Sequence, residues 1–350
     1  MIRKNIFSRA SLIAALALTA HSVQAQDIHF TQFNAVPMVI NPAFTGNFDG
    51  QMRAAAIYRN QWQSVTIPYV TYGASLDAPL VHDLSIDDYL AGGVQVYEDK
   101  AGDGNLTNFT VLASVAYHKF FGKDVNKTLS VGFQGGYSEK SIDLSKLYFG
   151  DDFLNGQYMS GLGAQQQYLN NRLHYFTVNA GISWAHSTSS NFGYELGVGA
   201  NNLNQPADGF AKEQNSQAAS GLGMRYTAQL GAIWYVSEKF SLRPGVLYQS
   251  QNTANEIIAG NEFHYIVGNP EVRSFASAVF AGIWYRTGDA LMVTVGGEWK
   301  SWRLGLSYDY NISDLQTATN GNGGFEISLR YILPNPLDFA HRLVYPCSRF

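Results

Sequence analysis

The stretch Leu129 to Tyr137, LSVGFQGGY, puts Leu129, Val131, Phe133 and Tyr137 on one face of an extended chain and Ser130, Gly132, Gln134 and Gly136 on the other. The same period of two runs through FTVNAGISW, where Phe176, Val178, Ala180, Ile182 and Trp184 oppose Thr177, Asn179, Gly181 and Ser183. In WRLGLSYDY, Trp302, Leu304, Leu306, Tyr308 and Tyr310 oppose Arg303, Gly305, Ser307 and Asp309; in FEISLRYIL, Phe325, Ile327, Leu329, Tyr331 and Leu333 oppose Glu326, Ser328 and Arg330. Each strand thus carries an unbroken apolar face and a polar face that holds its charges. An arginine on the lipid side at the bilayer midplane costs roughly 2–4 kcal/mol. Arg243, Glu298, Arg303, Asp309, Glu326 and Arg330 are therefore assigned to a lumen, and the apolar faces to lipid.

Composition agrees. Charged residues make up 14% of the chain, well below the quarter usual in soluble domains, and aromatics another 14%, with 34 glycines. Only one apolar run, near the N-terminus, approaches the length of a membrane helix. A closed barrel reconciles these facts, since every backbone polar group pairs with a neighbouring strand while alternate side chains face lipid and lumen. The mean hydropathy of −0.13 is compatible with such a wall.

Fourteen strands are predicted, at about 50–59, 68–77, 87–98, 106–118, 127–139, 173–186, 190–202, 225–236, 239–250, 254–265, 274–286, 289–299, 302–312 and 324–333. The fold class is all-β, an antiparallel outer-membrane barrel spanning residues 50–333. An even number places both ends of the barrel on one side, expected to be periplasmic. Turns near 187, 237 and 300 are short and flanked by Trp184, Phe192, Trp234, Tyr235, Phe240, Trp299 and Trp302, the arrangement of an interfacial girdle. Long connections at 140–172, 203–224 and 317–324 fall on the opposite, extracellular edge. Within the first, Tyr148, Phe149, Phe153 and Tyr158 form an aromatic group that either folds into the barrel mouth or contacts a partner.

Arg3, Lys4 and Arg9 precede the apolar run Leu12–Ala20 and the small-residue site Val23-Gln24-Ala25. Residues 1–25 read as a removed secretion signal, with Gln26 as the first mature residue. Removal of three basic residues leaves 20 basic against 27 acidic, a net charge of −7 that argues against a nucleic-acid partner. The single cysteine, Cys347, has no internal partner for a disulfide. Residues 334–350, PNPLDFAHRLVYPCSRF preceded by Leu333, carry two early prolines and no alternation, and read as a tail.

The motifs of metal proteases, nucleotide-binding loops and serine hydrolases are missing. His118, His174 and His264 fit strand ends or interfaces, and Asp99–Asn105 lacks the complete twelve-residue calcium loop. No catalytic residue, cofactor or metal ligand is assigned.

The N-terminal QDIHFTQFNAVPMVINPAFTGNFDG, followed by RAAAIYRNQW, resembles the PorP/SprF family of type IX secretion and gliding proteins of Bacteroidota. The matching features are Gln32-Phe33, the block Asn41-Pro42-Ala43-Phe44-Thr45-Gly46, and Tyr58-Arg59-Asn60-Gln61-Trp62, with ISLRY at 327–331 extending the likeness over most of the chain. The tail after the last strand departs from the family pattern. The resemblance implies a non-enzymatic barrel that cooperates with type IX or gliding components and binds a large secreted adhesin through its C-terminal sorting domain. It also makes Asn41, Pro42, Phe44, Thr45, Gly46, Tyr58, Arg59, Gln61 and Trp62 the candidates for partner binding or for a plug. Residues 26–49 then either plug the barrel floor or lead into the first strand. Two other functions stay open on sequence: a passive porin or small-solute transporter with a polar, glycine-rich lumen, and a soluble exported carbohydrate binder.

Overall fold

The computed structural model describes residues 28–65, 67–82, 84–122, 126–147, 153–154, 157–158, 169–210, 221–267, 277–314 and 316–334. The readings of residues 1–25 as a signal and of 335–350 as a tail, and the candidates Tyr148 and Phe149, lie outside them.

Alternation of side chains is realised as a closed antiparallel barrel of fourteen strands. In chain order these are β1 Met52–Gln61, β2 Tyr69–His82, β3 Asp88–Ala101, β4 Leu106–Phe121, β5 Lys127–Ser141, β8 Arg172–Ser189, β9 Phe192–Asn201, β10 Arg225–Tyr235, β11 Phe240–Gln251, β12 Ala254–Ile266, β13 Ala278–Arg286, β14 Ala290–Trp299, β15 Trp302–Asn311 and β16 Asn322–Leu333. A short hairpin, β6 Phe153–Leu154 with β7 Gln157–Tyr158, sits in the connection between β5 and β8. Closure is made by β1 and β16, paired from Met52↔Leu333 to Gln61↔Gly324, so no strand edge is left for lipid to meet. Besides register shifts at Pro79/Val81, Ser187/Ser189 and Asp309/Tyr310, the ladder lapses between β10 and β11. Pairing skips from Gly231↔Gly245 to Trp234↔Leu242, at the position where Pro244 has no N–H to give.

The two faces are sorted as the charges require. Phe133, Phe176, Ile182, Val295, Leu306 and Ile327 point outward and are exposed. Ser130, Gln134, Thr177, Asn179, Asp309, Glu326 and Arg330 point inward and are buried. Phe133→Arg is therefore expected to cost roughly 2–4 kcal/mol in the membrane. Loss of heat-modifiable migration in membrane fractions measures it, against Glu238→Arg in an exposed turn, where migration stays normal.

The rims differ. One has the tight turns Ser190–Asn191 and Lys300–Ser301, together with both barrel ends, Met52 and Leu333; its longest connection is 267–277. Exposed Trp234, Trp299 and Trp302 lie along it, with Lys300 over the Trp299 ring at 4.7 Å and Trp302 against Tyr331 at 4.6 Å. The other rim carries the connections 142–171 and 202–224. The 202–224 connection is tied to the end of β5 by Lys140 Nζ to Asp208 at 2.5 Å and to the 142–171 connection by the Asn170 N–H to the Phe210 carbonyl at 2.7 Å.

Candidate functional site in the lumen

The lumen is occupied by the chain's own residues 28–48. Two prolines, with no N–H to satisfy, each start a single turn: a helical turn at Pro37–Ile40 and a 3-10 turn at Pro42–Phe44. Asn41 joins them, its side-chain oxygen accepting from the Ala43 N–H at 2.9 Å. Its amide donates to the wall carbonyls of Ile182 and Val198 at 3.1 and 3.2 Å. A turn-rich segment is well suited to this task, because its backbone polar groups cannot all pair within itself and instead take partners from the surrounding wall.

At the long-loop end a buried ion cluster holds the segment. Thr31 Oγ1 donates to Asp309 at 2.7 Å and accepts from Arg59 at 3.1 Å and Arg286 at 3.2 Å. The Thr31 and Gln32 N–H groups donate to the two oxygens of Glu326 at 2.7 and 2.8 Å. Arg59 in turn pairs with Glu326 and, at 3.1 Å, with Asp309. Arg286 also pairs with Glu256 at 3.3 Å and with Asp289 at 3.0 Å, so two guanidiniums serve four carboxylates, and both oxygens of Glu326 are used by plug backbone.

At the short-turn end Asp77 takes a bidentate pair from Arg53 at 3.0 and 2.7 Å and the Gly46 N–H at 2.6 Å. Arg53 also donates to the Phe44 carbonyl at 2.9 Å. His118 Nε2 bonds the Thr45 carbonyl at 2.8 Å, which requires the proton on Nε2 and leaves Nδ1 to accept from Ser130 at 2.7 Å. Tyr89 stacks on that imidazole, ring centroids 4.3 Å apart, and its hydroxyl donates to the Gly46 carbonyl. Asn47 reaches Glu195 across the lumen.

Apolar contacts fill the middle. Phe33 meets Trp284 edge-on at 5.4 Å within a cluster of Ile40, Leu247, Ile258, Ala290 and Met292. On the other side the wall makes room by omitting side chains. A Cβ on Gly132 would lie 2.3 Å from the Pro42 carbonyl carbon, and one on Gly181 would lie 1.9 Å from Asn41 Oδ1. The lumen glycines are a seat for the plug.

A family model described as type IX secretion system membrane protein PorP/SprF matches residues 22–331, which includes plug and barrel together. The chain belongs to the PorP/SprF family. That membership makes it a membrane protein of type IX secretion, and its closed wall is an outer-membrane barrel. No curated protein matches the chain. Among solved structures it is similar to a monoaromatic hydrocarbon channel, the TodX deltaS2 mutant, at 11% identity and a TM-score of 0.50, over 85% of this chain and 93% of that one. The Pseudomonas putida toluene transporter TodX aligns at 10% identity and a TM-score of 0.48, over 87% and 94%. At such identity the likeness is one of barrel fold.

In this PorP/SprF protein the fold brings most of the motif residues together. Asn41, Pro42, Phe44, Thr45 and Gly46 are buried in the lumen, and Arg59 joins Thr31, with Gln61 accepting from Arg59 at 3.2 Å. Tyr58 and Trp62 do not join them. Tyr58 lies on the outer face against Tyr72 and Phe325, at 5.1 and 5.7 Å. Trp62 sits just after β1 with φ 59°, edge-on to Tyr69. Phe153 and Tyr158 are placed opposite each other in the backbone pairing of the β6–β7 hairpin. Beside that connection, Asn105, Thr107, Ser141–Ser145 and Leu169–Arg172 line an open polar cleft of about 740 Å³.

Residues that the motifs did not indicate are as central as those they did. Thr31 carries no sequence signal of its own. His118, assigned to a strand end, faces inward and holds the plug; His264, also inward, touches Glu262; His174 is exposed beside Tyr137. Among the described residues no grouping of His, Cys, Asp and Glu is arranged to hold a metal ion.

Proposed function

We propose that this protein is a plugged docking barrel. It binds the C-terminal sorting domain of a large secreted adhesin, cooperates with other type IX secretion or gliding components, and supports export or attachment at the cell surface. The observation that carries the reading is the filled lumen: residues 28–48 are bonded to the wall at both ends and leave no reason for the barrel to serve solute passage. With the lumen occupied, what the barrel offers to other molecules is its rims and its lipid-facing wall. On this reading residues 1–25 are the export signal, the long-loop rim faces the medium, and the aromatic connection at 140–172 meets the adhesin domain.

The porin reading draws on the polar, glycine-rich inner face, but those glycines are spent on plug contacts. The soluble carbohydrate-binding reading is disfavoured by a wall whose outer face carries a broad band of exposed apolar side chains.

Mild-detergent affinity purification from the native outer membrane, followed by mass spectrometry, tests the proposal. Recovery of a large exported protein with a compact C-terminal domain, or of type IX components, supports it; a solitary barrel that conducts ions contradicts it. Phe44→Ala removes a ring that is 2% exposed beneath the short-turn rim. It is expected to destabilise plug seating by about 3–5 kcal/mol and to reduce partner recovery while membrane insertion persists. Normal recovery would separate the motif from partner binding.

A further inference from the structure

Residues 28–50 run the full height of the barrel, and the direction of that run is fixed by their partners. Arg225 donates to the Ile28 carbonyl at 3.2 Å, and Arg225 pairs with Asn201 and Gln251, the last residues of β9 and β11 at the long-loop rim. His29 lines a small cavity with Gln249–Gln251 and Ala254–Glu256, on either side of the turn at that same rim. Thr31 and Gln32 follow on Glu326 and Asp309, near the long-loop ends of β16 and β15. The chain is still near that rim at Val39 and Ile40, whose carbonyls accept from Arg225 at 3.0 Å and from Thr227 at 2.9 Å, and Asn41 then reaches the β8 and β9 carbonyls. Thr45 to Asn47 then meet His118, Asp77 and Glu195 at the opposite end, and the Gln51 N–H donates to Leu333, the end of β16.

We infer that the plug is threaded through the barrel from the long-loop mouth, so that the leading end at Ile28 opens on the face opposite the one where β1 begins and β16 ends. Burial supports the direction: Ile28 and His29 are half-buried, whereas Phe30 is 4% exposed and Thr31 is 1% exposed. A chain arriving from the short-turn mouth would have to pass Phe44, Thr45 and Asn47, which already close that end. The leading end is therefore a handle at the long-loop face. Only His29 and Phe30 separate it from Thr31, so a molecule gripping it there acts directly on the Arg59–Asp309–Glu326 cluster inside the barrel. This placement is independent of which partner the protein has.

Cysteine accessibility tests it in a Cys347→Ser background. Thr253→Cys, in the exposed turn at the long-loop rim, and Glu238→Cys, in the exposed turn at the other rim, report the two sides. A membrane-impermeant maleimide is applied to intact cells and then to broken envelopes. Ile28→Cys is expected to label under the conditions that label Thr253→Cys. Labelling that follows Glu238→Cys instead, or labelling only after denaturation, would overturn the inference. An epitope tag placed between Gln26 and Asp27 gives a second readout that leaves the plug unaltered. Antibody access to it must likewise follow Thr253→Cys, and access that follows Glu238→Cys overturns the threading.

Discussion

Gly132→Val and Gly181→Val, introduced together, are expected to expel the plug while the barrel stays in the membrane. Both glycines lie in central strands and face the lumen, where valine suits the pleat but collides with the occupant. The Cβ atoms alone would stand 2.3 Å from the Pro42 backbone and 1.9 Å from Asn41 Oδ1; the first neighbour is backbone, and the second is a side-chain oxygen held by the Ala43 N–H at 2.9 Å. Overpacking of this kind costs typically 1–3 kcal/mol per site, and the Asn41 bonds to Ile182 and Val198 are lost with it. The wall has a remedy that a packed core lacks, since the segment can leave through a mouth. Limited proteolysis of purified protein measures the result: cleavage within residues 28–48 in the double variant and resistance in the parent, with heat-modifiable migration retained by both. A double variant as resistant as the parent would mean that the glycine seat does not hold the segment.

Arg59→Met is expected to be the most damaging single change in the long-loop cluster. It leaves Asp309 and Glu326 with one fewer cation, both carboxylates being almost fully buried. Breaking a buried pair by removing one partner costs about 3–5 kcal/mol. Glu326 keeps its bonds to the Thr31 and Gln32 N–H groups, so the loss is one of charge balance more than of hydrogen bonding. Arg59→Lys should rescue only part, because one ammonium cannot reproduce the fork that reaches Glu326, Asp309, Thr31 and Gln61 at once. The contrast is Lys100→Met, which removes an exposed pair with Glu98 worth under about 1 kcal/mol. Urea unfolding of the two variants in lipid vesicles reads the difference. Equal midpoints would show that the cluster does not bear on stability.

The wall was legible because lipid enforces a strict rule. All fourteen predicted strands are present, and the charged positions used to orient them, Arg243, Glu298, Arg303, Asp309, Glu326 and Arg330, all face inward. Boundaries moved where pairing with a neighbour carries a strand on, as in β2, which continues to His82 against Tyr89, and β8, which continues to Ser189 against Phe192. The plug was only half legible. Its turns are marked by Pro37, Pro42, Asn41 and Gly46, but local signals do not say whether a turn-rich segment lies in a lumen or under a rim. Two further signals in the sequence point to an occupied lumen. Four successive strands break alternation with apolar residues on both faces, at Val246-Leu247-Tyr248, Ile257-Ile258, Ile283-Trp284-Tyr285 and Leu291-Met292-Val293. Their inward members, Leu247, Ile258, Trp284 and Met292, are the ones that receive Phe33. Lumen glycines were the other signal, since a water-filled pore has no need to delete a Cβ. Arg53, Asp77, Glu195 and Arg286 could be placed inward by parity, but their pairing depends on shear around the barrel and on a segment that parity does not locate.

The central claim is that residues 28–48 close the barrel. Its most direct test is the conductance of the purified full-length protein in a planar bilayer, beside a form lacking residues 28–47. The full-length protein should insert without steady current steps, and the deletion should open a pore, a fourteen-stranded wall being close in size to porins of 16–18 strands. Stable ohmic current through the full-length protein, unchanged by the deletion, would contradict the plug and return the barrel to the channels it resembles in fold.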